Sequence, residues 1–140
     1  MTFINIVIGA FIVLEFSNVM ALYFAPGSRL ANAVGVFSAW EESKNYPQIH
    51  DLVKYLVNWV AGAKLIFLLL LVVILIYADT MTQRMSVLAL AVATSSFYWR
   101  LFPLIRRMDR DGQIEPKHYS RVLGIMILVF IVIFAIAAFI

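Results

Sequence analysis

The sequence predicts an all-α polytopic membrane protein: a four-transmembrane-helix bundle in one domain, residues 1–140, with an amphipathic interfacial helix between the first two spans. Three observations support this prediction. Hydrophobic residues make up 64% of the chain and charged residues 14%, whereas soluble domains are about a quarter charged. Four segments contain the roughly 20 mostly apolar residues that a helix needs to cross a membrane. A longer segment with apolar residues at helical spacing separates the first two.

The four predicted spans end at residues that interrupt apolar helices. The spans cover about 3–24, 52–77, 85–105 and 119–140. Pro26 follows the first span, the polar stretch "ADTMTQR" follows the second, and Arg106 follows the third. The fourth span carries no charge after Arg121, so we expect it to face lipid or a partner subunit.

The segment between the first two spans contains the stretch "SRLANAVGVFSAWEESK". Its apolar residues Leu30, Val34 and Phe37 recur three to four positions apart, and Trp40 continues the series. Ser28 is a suitable N-cap for a helix that starts here. We therefore predict an amphipathic helix over about 28–45 in the membrane interface, with Trp40 at headgroup depth. The alternative is a helix packed over the cytoplasmic mouth of the bundle.

The distribution of basic residues predicts the orientation in the membrane. The connections over 25–51 and 106–118 contain Arg29, Lys44, Arg106, Arg107, Arg110 and Lys117. The 79–84 turn on the opposite side contains only Arg84. Connections rich in lysine and arginine stay in the cytoplasm. We therefore predict an integral protein of the cell membrane with cytoplasmic 25–51 and 106–118 loops and both termini outside.

The composition excludes several functional classes. The absence of cysteine rules out disulfides, Fe–S clusters and thiol catalysis, and no cofactor is predicted. The net charge of +3 is gathered near predicted membrane ends and forms no basic stripe with aromatics, so no nucleic-acid partner is predicted. One four-helix chain has little volume for a pathway. The predicted partners are therefore membrane lipids and either further copies of the chain or subunits of a larger membrane complex.

Two motifs in the cytoplasmic connections resemble metal sites without meeting their requirements. Asp109 and Asp111 have the spacing of the middle of an EF-hand loop, but Arg107 and His118 stand at the outer ligand positions. We predict instead an acidic turn that caps the fourth span. His50 and His118 could approach each other at two helix starts, yet their spacing does not require a metal, and no metal site is predicted.

Four polar side chains lie at similar depths in three predicted spans. From the rise of a helix, Lys64 and Arg100 are about 10 Å inside the cytoplasmic boundary, Asn18 about 9 Å, and Glu15 about 14 Å. A charge at the membrane centre costs about 2.5–3.5 kcal/mol and normally faces a partner in the bundle interior. We therefore predict a cluster of Glu15, Lys64 and Arg100. Asn18 would complete its hydrogen bonds, and Asn58 would extend it toward water.

The predicted cluster has three interpretations: snorkelling of the two basic side chains, a structural contact that fixes helix pairing, or a centre for binding or transport. Glu15 is too short and too deep to reach water alone, so it is the candidate proton carrier. Two cations beside one carboxylate would attract an anionic ligand, with Arg100 as its forked partner and Lys64 as a point charge. Tyr98 and Pro103 would shape the same pocket, or would only pack and anchor the helix, which Pro103 could kink.

These observations lead to three functional hypotheses. The first is a small membrane transport or channel-type protein whose buried polar centre attracts an anionic ligand or couples to protons. The second is a non-catalytic accessory or scaffold subunit of a larger membrane complex. The third is a membrane enzyme that acts on a lipid-like substrate at the cytoplasmic face. No catalytic residue is predicted for it, because no nucleophile and base stand at a diagnostic spacing.

Overall fold

The computed structural model describes residues 2–140, which are 81% helical and contain no strand. The helices are α1 (Phe3–Phe24), α2 (Ser38–Ser43), α3 (Pro47–Tyr77), α4 (Thr80–Ser95), α5 (Phe97–Arg110) and α6 (Tyr119–Phe139), with a 3-10 turn over Val34–Val36. Four stretches are long and apolar enough to cross a membrane: α1, α3, α4 with α5, and α6. The all-helical class and the four candidate spans are confirmed, and they are consistent with an integral membrane protein.

Two spans are longer than hydropathy alone predicts. The helix α3 begins at Pro47, where the fixed φ of proline suits the first turn, and its charged first turns precede the apolar run that begins near residue 52. The third span covers Thr80–Arg110 instead of 85–105. It begins early because the Asp79 carboxylate accepts a hydrogen bond of 2.7 Å from the Thr82 N–H and caps the helix.

The third span leaves regular α-helical geometry at Ser96, and Pro103 lies inside α5. The Ser96 N–H donates to the Ala93 carbonyl at 3.1 Å, which is a tighter turn than an α-helix makes. The Ser96 hydroxyl also donates to the Ala93 carbonyl, so side chain and backbone share one acceptor there. The element boundary is thus set by serine hydrogen bonding, seven residues before the proline.

The spans pack chiefly in two pairs, α1 with α3 and α4 with α6, and α1 also contacts α4 and α6. Near the chain termini the core contains Ile8, Val87 and Phe134, all fully buried. The Phe11 and Phe134 rings meet edge to face at 5.0 Å between centroids and link α1 to α6. The opposite half of the α1–α3 pair has its own apolar cluster around Val19.

The helix α6 is packed on one face and open on the other. Phe134 and Ala137 are buried, whereas Val122, Leu128 and Ile136 on the opposite side are exposed. The expectation that α6 faces lipid or a partner therefore applies to one face only. Its other face belongs to the core of the chain.

The connection between α1 and α3 does not form the continuous helix predicted over 28–45. Ala31 and Asn32 have positive φ angles of 52° and 54°, which no helix accommodates, and α2 spans only Ser38–Ser43. Trp40 is 7% exposed, with its ring 4.9 Å from that of His50. The Trp40 ring therefore packs against α3, and it is not exposed on the surface of the chain.

The first connection pairs instead with the connection between α5 and α6. The Ser38 N–H donates to the Gln113 carbonyl at 3.0 Å, and the Glu115 N–H donates to the Val36 carbonyl at 2.8 Å. Arg29 and Glu115 form an exposed ion pair at 2.8 Å. We call these two paired connections, residues 25–46 and 111–118, the loop cap. It lies at the opposite end of the helices from the turn between α3 and α4.

Gly35 allows the first connection to fold back on itself. A Cβ atom at this position would lie 2.0 Å from the Gly27 carbonyl oxygen, well inside van der Waals contact. The Gly35 N–H donates to the Ser28 carbonyl at 3.1 Å in the same crossing. The close approach of these two backbones therefore requires glycine at this position.

Candidate functional site: a polar triad between α1 and α3

Three of the predicted site residues meet where α1 packs against α3. Glu15 and Asn18 are three residues apart on α1 and so share a face of that helix. Lys64 reaches them from α3: its ammonium donates to Glu15 Oε2 at 2.6 Å and to Asn18 Oδ1 at 2.5 Å. We call Glu15, Asn18 and Lys64 the polar triad.

The triad is largely enclosed by apolar residues. Asn18 is 7% exposed, and the side chains of Lys64 and Glu15 are 27% and 23% exposed. Val19 beside Asn18 and Ala61 one turn before Lys64 are fully buried. In this low-dielectric setting an ammonium and a carboxylate stabilise each other far more than they would in water, and neither is favourable alone. The formal charge of the triad is zero.

Asn18 also connects the triad to the loop cap. Its side-chain NH₂ donates to the Ala31 carbonyl, while its side-chain oxygen accepts from Lys64. Ala31 is one of the two residues with a left-handed backbone, so the orientation of its carbonyl depends on that unusual turn. The position of the cap is therefore tied directly to the groups that hold Glu15.

The prediction that Arg100 joins this cluster is wrong. Arg100 is exposed, and its guanidinium carbon lies 5.4 Å from the centroid of the neighbouring Trp99 ring. The helix α5 packs against α6, whereas α1 packs against α3, so equal depth does not bring Arg100 to Glu15. The excess positive charge that was expected to attract an anion is absent from the triad.

Two further predicted site residues lie apart from the triad. Asn58 is exposed and sits on a different face of α3 from Lys64. The Tyr98 hydroxyl donates to the Gly124 carbonyl, and its ring packs edge to face on Phe102 at 5.3 Å. Tyr98 thus joins α5 to α6, which agrees with the packing alternative stated for it.

Asp109, in the last turn of α5, caps α6, as predicted for this acidic stretch. The Asp109 carboxylate accepts hydrogen bonds from the His118 N–H at 3.1 Å and from the Ser120 N–H at 2.9 Å. The Ser120 hydroxyl donates to the same carboxylate at 2.6 Å. Within residues 2–140 no group of three or more His, Asp or Glu side chains is placed to hold a metal ion.

His50 contacts a serine, which the sequence did not signal. Its Nδ1 lies 2.8 Å from the Ser43 hydroxyl, and the same hydroxyl donates to the Trp40 carbonyl at 2.7 Å. A hydroxyl has one proton, so while Ser43 donates to Trp40, the proton of the second bond must come from His50. Ser43 is also only 5% exposed. The pair therefore fastens α2 to α3 and does not present an activated nucleophile.

The triad is a hydrogen-bonded network of one carboxylate, one ammonium and one amide, which joins α1 to α3 and, through Asn18, to the loop cap. No protein family, curated protein or solved structure matches the chain in sequence or fold comparisons.

Proposed function

We propose that the chain is a small membrane transport-type protein in which protonation of Glu15 is coupled to the position of the loop cap. The observation that supports this is the continuous hydrogen-bond path from Glu15 through Lys64 and Asn18 to the Ala31 carbonyl. A titratable group at membrane depth is an expected element of a proton relay. Here it is connected to a loop as well as to another helix.

The proposed coupling follows from the charge balance of the triad. When Glu15 binds a proton, Lys64 loses its only anionic partner in the triad. The free energy of its ammonium is then lower if the side chain moves toward water. Asn18 then loses one of its two hydrogen bonds, and its hold on Ala31 weakens. Loss of the proton restores the ion pair and the closed cap. The cap would thus open and close the end of the helices with the protonation state.

The triad does not favour an anionic ligand. Such a ligand would need both Lys64 and Arg100 beside Glu15, and Arg100 faces elsewhere. The proposed arrangement is a four-helix bundle with the loop cap in the cytoplasm, since the cap and its neighbouring helix ends contain most of the basic residues. The partly exposed sides of Glu15 and Lys64 would meet hydrocarbon in a lone chain, so we propose that further copies or a partner subunit cover them.

A second candidate function, an accessory or scaffold subunit, is favoured by one observation. The triad is electrically neutral, and its polar atoms are joined to one another and to Ala31, as in a contact that serves only to fix helix pairing. In that case Glu15 would stay ionised throughout, and no proton would move. The two candidates differ in whether replacing Glu15 changes proton movement.

Proton movement in lipid vesicles distinguishes the two candidates. The purified chain is reconstituted into vesicles with an entrapped pH-sensitive dye, and the decay of an imposed pH gradient is followed. We expect faster decay than in empty vesicles. This decay should be lost in Glu15→Gln and retained in Lys54→Met, which removes a basic side chain from the exposed Asp51–Lys54 pair of α3. Equal decay with the wild-type chain and with Glu15→Gln would favour the accessory subunit.

A further inference from the structure

A wide groove lies between α5 and α6 at the end that bears the loop cap. Its volume is about 1480 Å³, and it is open along one side. Its walls include five basic residues, Arg106, Arg107, Arg110, Lys117 and Arg121, and below them the apolar residues Phe102, Ile125 and Leu128. The groove is remote from the polar triad, which lies between α1 and α3.

Most of the basic residues of the groove have no ion-pair partner among residues 2–140. Two carboxylates, those of Asp109 and Asp111, line the groove. The Asp109 carboxylate already accepts hydrogen bonds from the Ser120 N–H and hydroxyl at the start of α6. Asp111 is 3.6 Å from Arg110 Nε, at the loose limit of an ion pair. Among residues 2–140, Arg106, Arg107, Lys117 and Arg121 form no ion pair, although the side chains of all four are exposed. The groove therefore has an excess of positive charge.

The order of residues along α6 places charge and apolar surface at different depths. Arg121, Ile125 and Leu128 follow at helical spacing on one face, so the apolar end lies about 10 Å deeper than the arginine. The floor is closed where Gly124 meets Phe102: a Cβ atom on Gly124 would lie 2.7 Å from that ring. The groove thus changes from basic at its mouth to apolar at its deeper end. An elongated amphipathic ligand fits this arrangement, with an anionic group among the arginines and an apolar chain along the apolar wall.

We infer that this groove binds an anionic phospholipid. The phosphate would lie between Arg106 and Arg110 of α5 and Arg121 of α6, whose guanidinium groups can pair with phosphate oxygens in a forked geometry. One acyl chain would follow Ile125 and Leu128. Basic pockets between helix ends on the cytoplasmic side are typical sites for such headgroups. A free phosphate would use the same arginines but leave the apolar wall unoccupied. This inference is independent of the proposed proton coupling.

Competitive lipid retention tests the inference. The chain is extracted in mild detergent with equal amounts of phosphatidylglycerol and phosphatidylcholine, and the lipids that remain bound are counted by native mass spectrometry. At roughly 1 kcal/mol for each basic side chain near the headgroup, removing two should reduce the retention of phosphatidylglycerol by about 30-fold. The test variant is Arg106→Gln with Arg121→Gln. The matched control is Lys44→Gln with Lys54→Gln, which removes two basic groups beside the same end of the helices but outside the groove.

The expected result is preferential retention of phosphatidylglycerol by the wild-type chain and by the control, and its loss in the groove variant. Unchanged helix content, measured by circular dichroism, shows that the variant is folded; both arginines are exposed, so folding should persist. Equal retention of the two lipids by the wild-type chain would overturn the inference. So would retention that falls equally in the control, or displacement of the lipid by millimolar inorganic phosphate, which would indicate a site for free phosphate.

Discussion

Lys64 of α3 and Glu15 of α1 form an ion pair of 2.6 Å between two candidate membrane spans, and the same ammonium also binds Asn18 at 2.5 Å. This contact explains how a lysine can stand inside the apolar part of α3, residues 55–77, which carries no other charged residue. Its charge is balanced by a carboxylate that could not itself reach water. Each charged group lowers the free-energy cost of burying the other. The pair can form only when α1 and α3 are in register.

Removing one member of the pair should destabilise the chain more than removing both. In Lys64→Met, Glu15 remains without its cation, and we expect a loss of about 3 kcal/mol in the free energy of unfolding. In the double variant Glu15→Gln with Lys64→Met, at least half of this loss should be recovered, because no charge is left unpaired. The measurement is unfolding in mixed detergent micelles, followed by circular dichroism, as a double-mutant cycle.

The control for this cycle is Lys54→Met. Lys54 pairs with Asp51 at 2.8 Å, but both side chains are about half exposed or more, so its loss should change stability by less than about 1 kcal/mol. Strictly additive effects of the two substitutions at Glu15 and Lys64 would show that the pair is energetically uncoupled, contrary to this account.

Loss of the Asn18 amide should loosen the loop cap. In Asn18→Ala the Ala31 carbonyl loses its donor, which corresponds to about 1–1.5 kcal/mol and hence to roughly tenfold faster local opening. Hydrogen exchange over residues 28–38, read by mass spectrometry, should quicken accordingly. The control Asn58→Ala removes an exposed asparagine that lies apart from the triad, and its exchange over 28–38 should match that of the wild-type chain. Equal exchange in all three proteins would contradict the proposed link.

Gly124→Ala should disturb the packing of α5 on α6. The added methyl group would lie 2.7 Å from the Phe102 ring, and we expect a loss of about 1–3 kcal/mol in the free energy of unfolding. Gly9→Ala is the matched control: its methyl group would lie 4.0 Å from Leu75, in ordinary contact, and alanine favours helix. Adding Phe102→Leu to Gly124→Ala should restore part of the stability. A neutral Gly124→Ala would mean that the two helices are not in close contact there.

The cap of α4 should make stability depend on pH in the acidic range. The hydrogen bonds from the Thr82 backbone N–H and side chain hold the pKa of Asp79 below its ordinary value of 3.8. A carboxyl whose pKa is lower in the folded state stabilises the fold above its unfolded pKa. That contribution is lost as the pH falls through the folded pKa. Asp79→Asn should keep a hydrogen-bonding cap and remove this pH dependence, whereas Asp79→Ala should lose both.

Amide exchange at Thr82, followed by nuclear magnetic resonance in micelles, checks the prediction for Asp79. After correction for the intrinsic pH dependence of exchange, protection in the wild-type chain should decline below pH 4, and protection in Asp79→Asn should not. A parallel decline in both proteins would place the titrating group elsewhere.

The sequence was sufficient where depth or local chemistry decides the structure. The contact between Lys64 and Glu15 could be predicted because a charge at membrane depth needs a partner, and only a few residues of opposite charge share that depth. The Asp109 cap was also predicted, because the acidic stretch that contains Asp109 lies close before the start of the fourth span, and carboxylates are favourable near a helix N-terminus. Both predictions depend on general rules about charge that do not require the arrangement of the helices.

The sequence was insufficient where the neighbours of an element decide its structure. Arg100 has the right depth, but depth does not say that α5 packs on α6 instead of α1. The apolar spacing of Leu30 to Trp40 resembles an amphipathic helix, yet the two connections pair with each other and bury Trp40. The left-handed turn at Ala31 belongs to that pairing, and nothing local in an alanine and asparagine pair required it. The Asn18 link to the loop cap therefore could not be predicted either.

The central claim is that the protonation of Glu15 is coupled to the position of the loop cap. The most direct test is to measure the distance between the loop cap and α3. The chain has no cysteine, so spin labels at Leu30→Cys in the cap and Asn58→Cys on α3, both exposed positions, report one distance by pulsed electron resonance in lipid. This account predicts one narrow distribution at neutral pH that shifts to a longer, broader one in acid. It also predicts that Glu15→Gln shows the acid distribution at both pH values. A distribution that neither acid nor Glu15→Gln alters would contradict it.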